Sequence, residues 1–292
     1  MEQEIGPAER TSGPPGARSA REFAAGSVEA DLVYAIPGGP RPVVYMYPPP
    51  PGVPRLSGDY RSQRVRIESA RPSAASLSLD VHGFSLHQHR SALVDGYDPA
   101  EVRAVYYPEM ERLVREATGA QSVLVFDHNV RSDARARSGQ LGVNEPVRRV
   151  HNDYTFESAV RRVQQLLGPE EAERRLERRL AIINVWRPLF GPVQDTPLAV
   201  CDARSIQKAD LVPIDLLYRD RIGENYNFAH NPAHRWYYVP EMLADEALLL
   251  KCYDSATDGR PSFTAHSAFD HPHVPQQARP RESIEIRTVA FF

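Results

Sequence analysis

Residues 182–186 (IINVW), 198–201 (LAVC), 211–218 (LVPIDLLY), 235–239 (RWYYV), 247–253 (ALLLKCY), 262–269 (SFTAHSAF) and 283–292 (SIEIRTVAFF) form seven short runs. They are rich in β-branched and aromatic residues and are separated by Pro, Gly, Asp and Asn. Runs of this length at this spacing predict a sandwich or barrel of jelly-roll type. Neither GxGxxG nor GxxxxGKS occurs, so dinucleotide-binding and phosphate-loop folds are set aside. The predicted fold is mainly β with flanking helices, on a double-stranded β-helix core over residues 141–292.

Upstream of these runs the pattern turns helical. Over 156–167, Val160, Val163 and Leu167 share one face and Gly168 closes the segment; 169–179 is a charged, solvated helix. Residues 122–126 (SVLVF) predict a buried strand. Over 97–118, Asp98 caps a helix, Pro99 fits its first turn, Glu101 fits the third capping position, and Gly119 stops it. Pro108 predicts a kink within it. Residues 41–140 therefore read as an α/β extension that brace the core and lend one wall to a pocket. Residues 1–40, rich in Gly, Pro, Ala and Arg, read as a mostly flexible arm, and the whole as one structural domain.

Composition narrows the function. The chain has 292 residues, is 41% hydrophobic and carries a net charge of −3. It offers no basic field for nucleic acid. No run reaches the roughly 18 apolar residues of a membrane span, and the acidic N-terminus lacks a secretory core. Cys201 and Cys252 sit singly in apolar runs and read as buried free thiols in a reducing cytosol. Nucleic acid and membrane are set aside as partners, and a cytoplasmic setting is expected.

The chemistry centres on His151-Asn152-Asp153. In extended chain, residues i and i+2 face one way, so an imidazole and a carboxylate can share a metal. A third ligand from another strand completes two histidines and one carboxylate, the set that non-haem iron(II) oxygenases need. His266 supplies it. Fifteen residues further on, Arg281-Glu282-Ser283 opens the last strand. A guanidinium fork with a hydroxyl two residues away suits the far carboxylate of 2-oxoglutarate. Arg287 is the alternative clamp. It lies six residues, or roughly 20 Å, further along the strand, so the two arginines cannot hold one small carboxylate. The strand of His266 and the last strand are expected to run antiparallel about a loop near His273, setting Arg281 beside His266.

Several stretches carry a family likeness. They include Val125-Phe126-Asp127-His128, the 151–153 triplet, and Asn184-Val185-Trp186-Arg187-Pro188-Leu189. Others are His234-Arg235-Trp236-Tyr237-Tyr238, Asp245-Glu246-Ala247-Leu248-Leu249, Lys251-Cys252-Tyr253-Asp254-Ser255, and 281–287 (RESIEIR). From about residue 40 to the C-terminus the chain resembles the AsaB-like and CmcJ-like hydroxylase/desaturase family, related to fungal gibberellin desaturases. The resemblance implies a double-stranded β-helix, iron(II), 2-oxoglutarate and dioxygen. It also implies oxidation of a C–H bond in a secondary-metabolite or amino-acid-like substrate, by hydroxylation, desaturation or ring closure. His128, Asn184, Trp186 and Arg187 are candidate pocket residues. His271 and His273 read as loop histidines, and His82, His87 and His89 lack a carboxylate at matching spacing. His230 and His234 straddle Pro232, which argues against a zinc helix. The rival reading is a cupin-like metal-binding jelly roll, an isomerase or binding protein without oxygenase activity; such a protein has no need of a 2-oxoglutarate clamp.

Overall fold

The computed structural model describes residues 26–292. Two curled sheets face each other. The larger runs, edge to edge, through β1 (Ser27–Ala35), β3 (Tyr60–Ser69), β12 (Trp236–Tyr238), β9 (Leu198–Cys201), β14 (His266–Ala268), β7 (His151–Asn152), β11 (Ile222–Phe228), β10 (Leu211–Leu217) and β2 (Val43–Tyr45). The smaller runs through β4 (Phe84–Gln88), β13 (Glu246–Asp254), β8 (Leu180–Pro188), β15 (Glu282–Phe291), β5 (Ser122–Ser132) and β6 (Val143–Asn144).

Burial explains which runs were legible. β8 and β13 are buried at every position, so they read as continuous apolar runs. β1 alternates, with Val28, Ala30, Leu32 and Tyr34 inward against Val150, Phe228 and Trp236. β3 is mostly solvated, and its sequence YRSQRVRIES hides a strand among charges. Its ten residues pair with β1 along most of their length.

Three expectations change. Of the arm over 1–40, residues 1–25 lie outside the described residues, but 27–35 form a paired strand rather than a loose segment. The 41–140 region does more than brace the core: β2 and β3 belong to the larger sheet, and β4 and β5 to the smaller. The 262–269 run shrinks to the three residues of β14.

One helical segment covers the outer face of the smaller sheet, while the helix over 156–167 packs on Leu180, Ile182, Val289 and Phe291 of the other face. Helix α1 (Tyr107–Thr118) buries Met110, Leu113 and Val114 in one cluster with Val125, Val185, Ile284 and Ile286. The break expected at Pro108 is a π-turn over Val102–Tyr106, in which the Tyr107 N–H reaches back to the Val102 carbonyl. Gly119, at φ 71°, ends α1 in the left-handed region that favours glycine. Asp98 caps the segment as expected, but the Glu101 carboxylate accepts from the Val94 and Asp95 amides instead of closing a capping box. Helix α2 (Phe156–Leu167) follows the metal triplet directly. Thr155 and Ser158 cap it reciprocally, and the Ser158 hydroxyl also donates to the Glu224 carbonyl at 2.9 Å. That cap pins the 151–153 segment at its C-terminal end. No helix among the described residues is long and apolar enough to cross a membrane.

Candidate metal centre

His151 and His266 are directly opposed residues of the antiparallel pair β7–β14. Their ring centroids lie 4.3 Å apart. Asp153 leaves the end of β7, with its Oδ1 3.6 Å from His151 Nε2. One donor atom from each of the three residues falls within 4.8 Å of the others, an arrangement that could hold a metal ion. Sequence spacing suggested the set; the register of one three-residue strand brings it together.

The electrostatics suit a cation. His151 Nδ1 donates to the Arg149 carbonyl at 2.7 Å, leaving Nε2 as a lone-pair donor facing Asp153. Burial pushes the His151 imidazole down to about 3, helped by His266, and burial pushes His266 down to about 4. Both rings are therefore neutral near pH 7, the state a metal ligand requires. Burial works to raise the Asp153 carboxyl, but Arg287 above all holds it below the usual carboxylate range. Asp153 Oδ2 accepts from Asn184 Nδ2 at 2.8 Å and from Arg287 Nε at 3.2 Å. Its second oxygen is thus occupied, and Oδ1 remains turned to the histidines. Glu157, the next acid along the chain, lies in the first turn of α2. Residues and charge state fit a divalent ion.

The inner face of the smaller sheet forms a grid. Cross-strand neighbours align Asn184, Arg287 and Asp127 in one row, Trp186, Glu285 and Asn129 in the next, and Pro188, Ser283 and Arg131 in the third. Arg287 is saturated: it meets Asp153 at 3.1 Å, Asp127 at 3.2 Å and Glu285 at 3.5 Å. Arg281 differs. It is 3% exposed, and its guanidinium makes one hydrogen bond, from Nη1 to the Thr196 carbonyl at 2.7 Å. Arg281 Nε and Ser283 Oγ are both buried without a partner. Burial, together with nearby Arg131, pushes Arg281 down to about 9. A buried cation with orphaned donors fits an absent carboxylate.

Strand alternation sorts the four pocket candidates. Asn184 faces the metal triplet through Asp153, and Trp186 packs 5.3 Å from the Arg281 guanidinium. Arg187 takes the opposite face of β8, donating to the His89 and Ala244 carbonyls near the Tyr106 ring. His128 likewise turns to the helices, bonding Tyr107 at 2.8 Å. Neither lines the metal site. Neighbours one apart in a strand cannot share a face, a signal available in the sequence. His271 packs against Tyr238 and Phe269. β14 and β15 fall in different sheets, so Arg281 is not set beside His266 by strand pairing as expected. Arg131 was missed as a site residue. It lines the cleft, and its charge reaches both His266 and Arg281.

His151 and Asp153 open on a cleft of about 1000 Å³, lined among others by Asp127, Arg131, Arg149 and Arg287. Arg281, Ser283 and His266 lie outside this lining, deeper in the sandwich.

A family model described as "Oxidoreductase/YMDC permease-like domain" matches residues 32–291. The chain is 34% identical over 272 residues to the Fe(II)/2-oxoglutarate-dependent dioxygenase nvfI of Aspergillus novofumigatus, covering 90% of this chain and 96% of that protein. It is 34% identical to the hydroxylase/desaturase efuI of Hormonema carpetanum, covering 80% of this chain and 85% of that one. The solved structure of the iron and alpha-ketoglutarate-dependent endoperoxidase NvfI superposes with a TM-score of 0.82 at 32% identity, over 91% of this chain and 98% of that one. The jelly roll is thus shared with an oxygenase, which disfavours the cupin-like alternative. Fold, donor set and sequence agree that this chain belongs to the Fe(II)/2-oxoglutarate-dependent dioxygenases of the hydroxylase/desaturase family.

Proposed function

We propose that His151, Asp153 and His266 hold the iron, that Arg281 and Ser283 hold the far carboxylate of 2-oxoglutarate, and that the cleft receives a secondary-metabolite or amino-acid-like small molecule for hydroxylation, desaturation or ring closure. The convergence of the three donor atoms within 4.8 Å carries this reading. Iron(II), when bound, supplies the activation of dioxygen that two-electron oxidation of a C–H bond needs, with succinate and carbon dioxide as co-products.

The chain contributes position and charge. The Arg149 carbonyl fixes the His151 tautomer, and Asn184 with Arg287 aims Asp153. Arg281, with no ion pair among the described residues, offers a fork for a carboxylate, and Ser283 adds a hydroxyl. Arg131, cross-strand from Ser283, adds a second positive charge. Names of relatives, an endoperoxidase and a hydroxylase/desaturase, support oxidative chemistry. The two buried free cysteines support a cytoplasmic setting.

The test is iron content together with succinate formation from 2-oxoglutarate, with ascorbate under air. Stoichiometric iron and succinate in the wild type, both lost in His266→Ala, are expected. Iron retained at full level in His266→Ala would reject the ligand set.

A further inference from the structure

Eight arginines and four carboxylates line the cleft, although the whole chain carries a net charge of −3. Several of these arginines are neutralised within the protein. Arg148 meets Asp133 and Asp270, Arg161 meets Glu224, and Arg287 meets three acids.

Arg149 stands apart. Among the described residues its guanidinium makes no hydrogen bond or ion pair, and its Nε is buried without a partner. The charged or ionisable groups that reach it are Tyr60 and a second cation, Arg55, with no carboxylate among them. The Tyr60 ring lies 5.9 Å from the guanidinium, and the Tyr60 hydroxyl is itself buried without a partner. Two orphaned donors therefore stand together in the wall of one cleft. Leaving such groups unpaired costs stability unless a ligand completes them.

Their placement bears on catalysis. Arg149 lies two residues before His151 in extended chain, roughly 7 Å along it. Both line the cleft while Val150 between them joins the core. The same residue orients His151 through its carbonyl. Beyond it the cleft wall turns apolar, with Val44, Leu56, Leu216 and the 63% exposed Ile222. Arg281 has different charged neighbours, namely Arg131, Asp195, Asp133 and Arg148. Arg149 and Arg281 thus define two separate places for an anion.

We propose that Arg149 and the Tyr60 hydroxyl anchor a carboxylate of the substrate, which is an anionic small molecule with an apolar body lying along Val44, Leu56 and Leu216. One guanidinium and one phenol match a monoanion. The proposal rests on the preceding reading of iron and 2-oxoglutarate sites, which leaves Arg149 free for the substrate.

The probes are 2-naphthoate and 2-naphthamide, alike in apolar body and different in charge. They are titrated by calorimetry into the enzyme loaded with iron(II) and 2-oxoglutarate under nitrogen, where turnover does not proceed. The acid is expected to bind about tenfold or more tighter than the amide. Arg149→Gln should erase that preference and leave 2-oxoglutarate affinity within about twofold of wild type. Tyr60→Phe, which removes a single oxygen, should narrow the preference and carries the test if Arg149→Gln does not fold. No preference in the wild type, or a preference that survives both substitutions, would overturn the anchor and leave the iron and 2-oxoglutarate sites standing. Arg149→Gln weakening 2-oxoglutarate as strongly as naphthoate would overturn both the anchor and the assignment of Arg281.

Discussion

Arg281 immediately precedes β15 and Arg287 lies midway along its inner face, and the protein treats them differently. Arg287 is enclosed by Asp153, Asp127 and Glu285, so its charge is spent on aiming a metal ligand. Arg281 is more deeply buried, yet it is answered by one backbone carbonyl. Burial without a direct ion pair is tolerable where a ligand supplies one. Residue type and spacing do not separate the two arginines; their counter-ions do. The same contrast separates Arg148, paired twice, from Arg149 beside it in sequence.

The strongest way to break this comparison acts around Arg287. Asp153→Ala should lower iron affinity by orders of magnitude, because it removes a ligand and uncovers Arg287 beside the two histidines. Glu157→Gln, His271→Ala and His273→Ala should keep wild-type iron content. Metal analysis after gel filtration checks the set, and iron loss in Glu157→Gln with retention in Asp153→Ala would reverse it.

Arg281→Ala, in turn, should raise the 2-oxoglutarate requirement by about 100-fold, the scale of removing one partner of a buried charge pair. Iron content should stay near wild type. The decisive reading is the ratio of the two effects: an iron loss exceeding the 2-oxoglutarate loss would mean that Arg281 serves the metal.

Arg287→Ala should do the converse. Loss of a group that orients a metal ligand typically costs about 10–100-fold in metal affinity. Dissociation constants for iron and 2-oxoglutarate, measured separately, sharpen the contrast. A larger effect on 2-oxoglutarate than on iron would make Arg287 the clamp.

The last effect is on stability and is read as a slope against pH. His151 and His266 stay neutral in the folded apo-protein down to about 3 and about 4, because burial opposes their charging. Unfolded histidines take up protons near 6.5. The unfolded state therefore binds more protons in the window between, and stability present above pH 6.5 is lost as pH falls toward 4. Each imidazole should contribute on the order of 1.4 kcal/mol per pH unit there. Urea unfolding of the metal-free protein at several pH values measures the slope. His266→Ala should flatten it, and an unchanged slope would show that His266 is not held neutral by burial.

How legible the molecule was depended on burial. Central strands such as β8 and β13 announced themselves because both faces are covered, and the helix over 156–167 because one face is. β1, β3 and β11 did not. Their outward or cleft-facing positions carry polar and charged residues, and a half-solvated strand of ten residues looks like a loop. The same blindness assigned 27–35 to an arm and 41–140 to a brace, although both contribute strands to the sheets.

By itself the sequence determined the fold class, the metal triplet, and the two arginines eligible to meet 2-oxoglutarate, since those follow from residue type, period and spacing. The tertiary structure decided which charges are already answered. It gave Arg287 to Asp153, turned His128 and Arg187 to the helices, and left Arg281, Ser283, Arg149 and Tyr60 with orphaned donors. Counter-ions arrive from strands distant in the chain, as Asp153 reaches Arg287 across 134 residues. Electrostatic pairing is a property of spatial neighbours, and sequence order does not encode it.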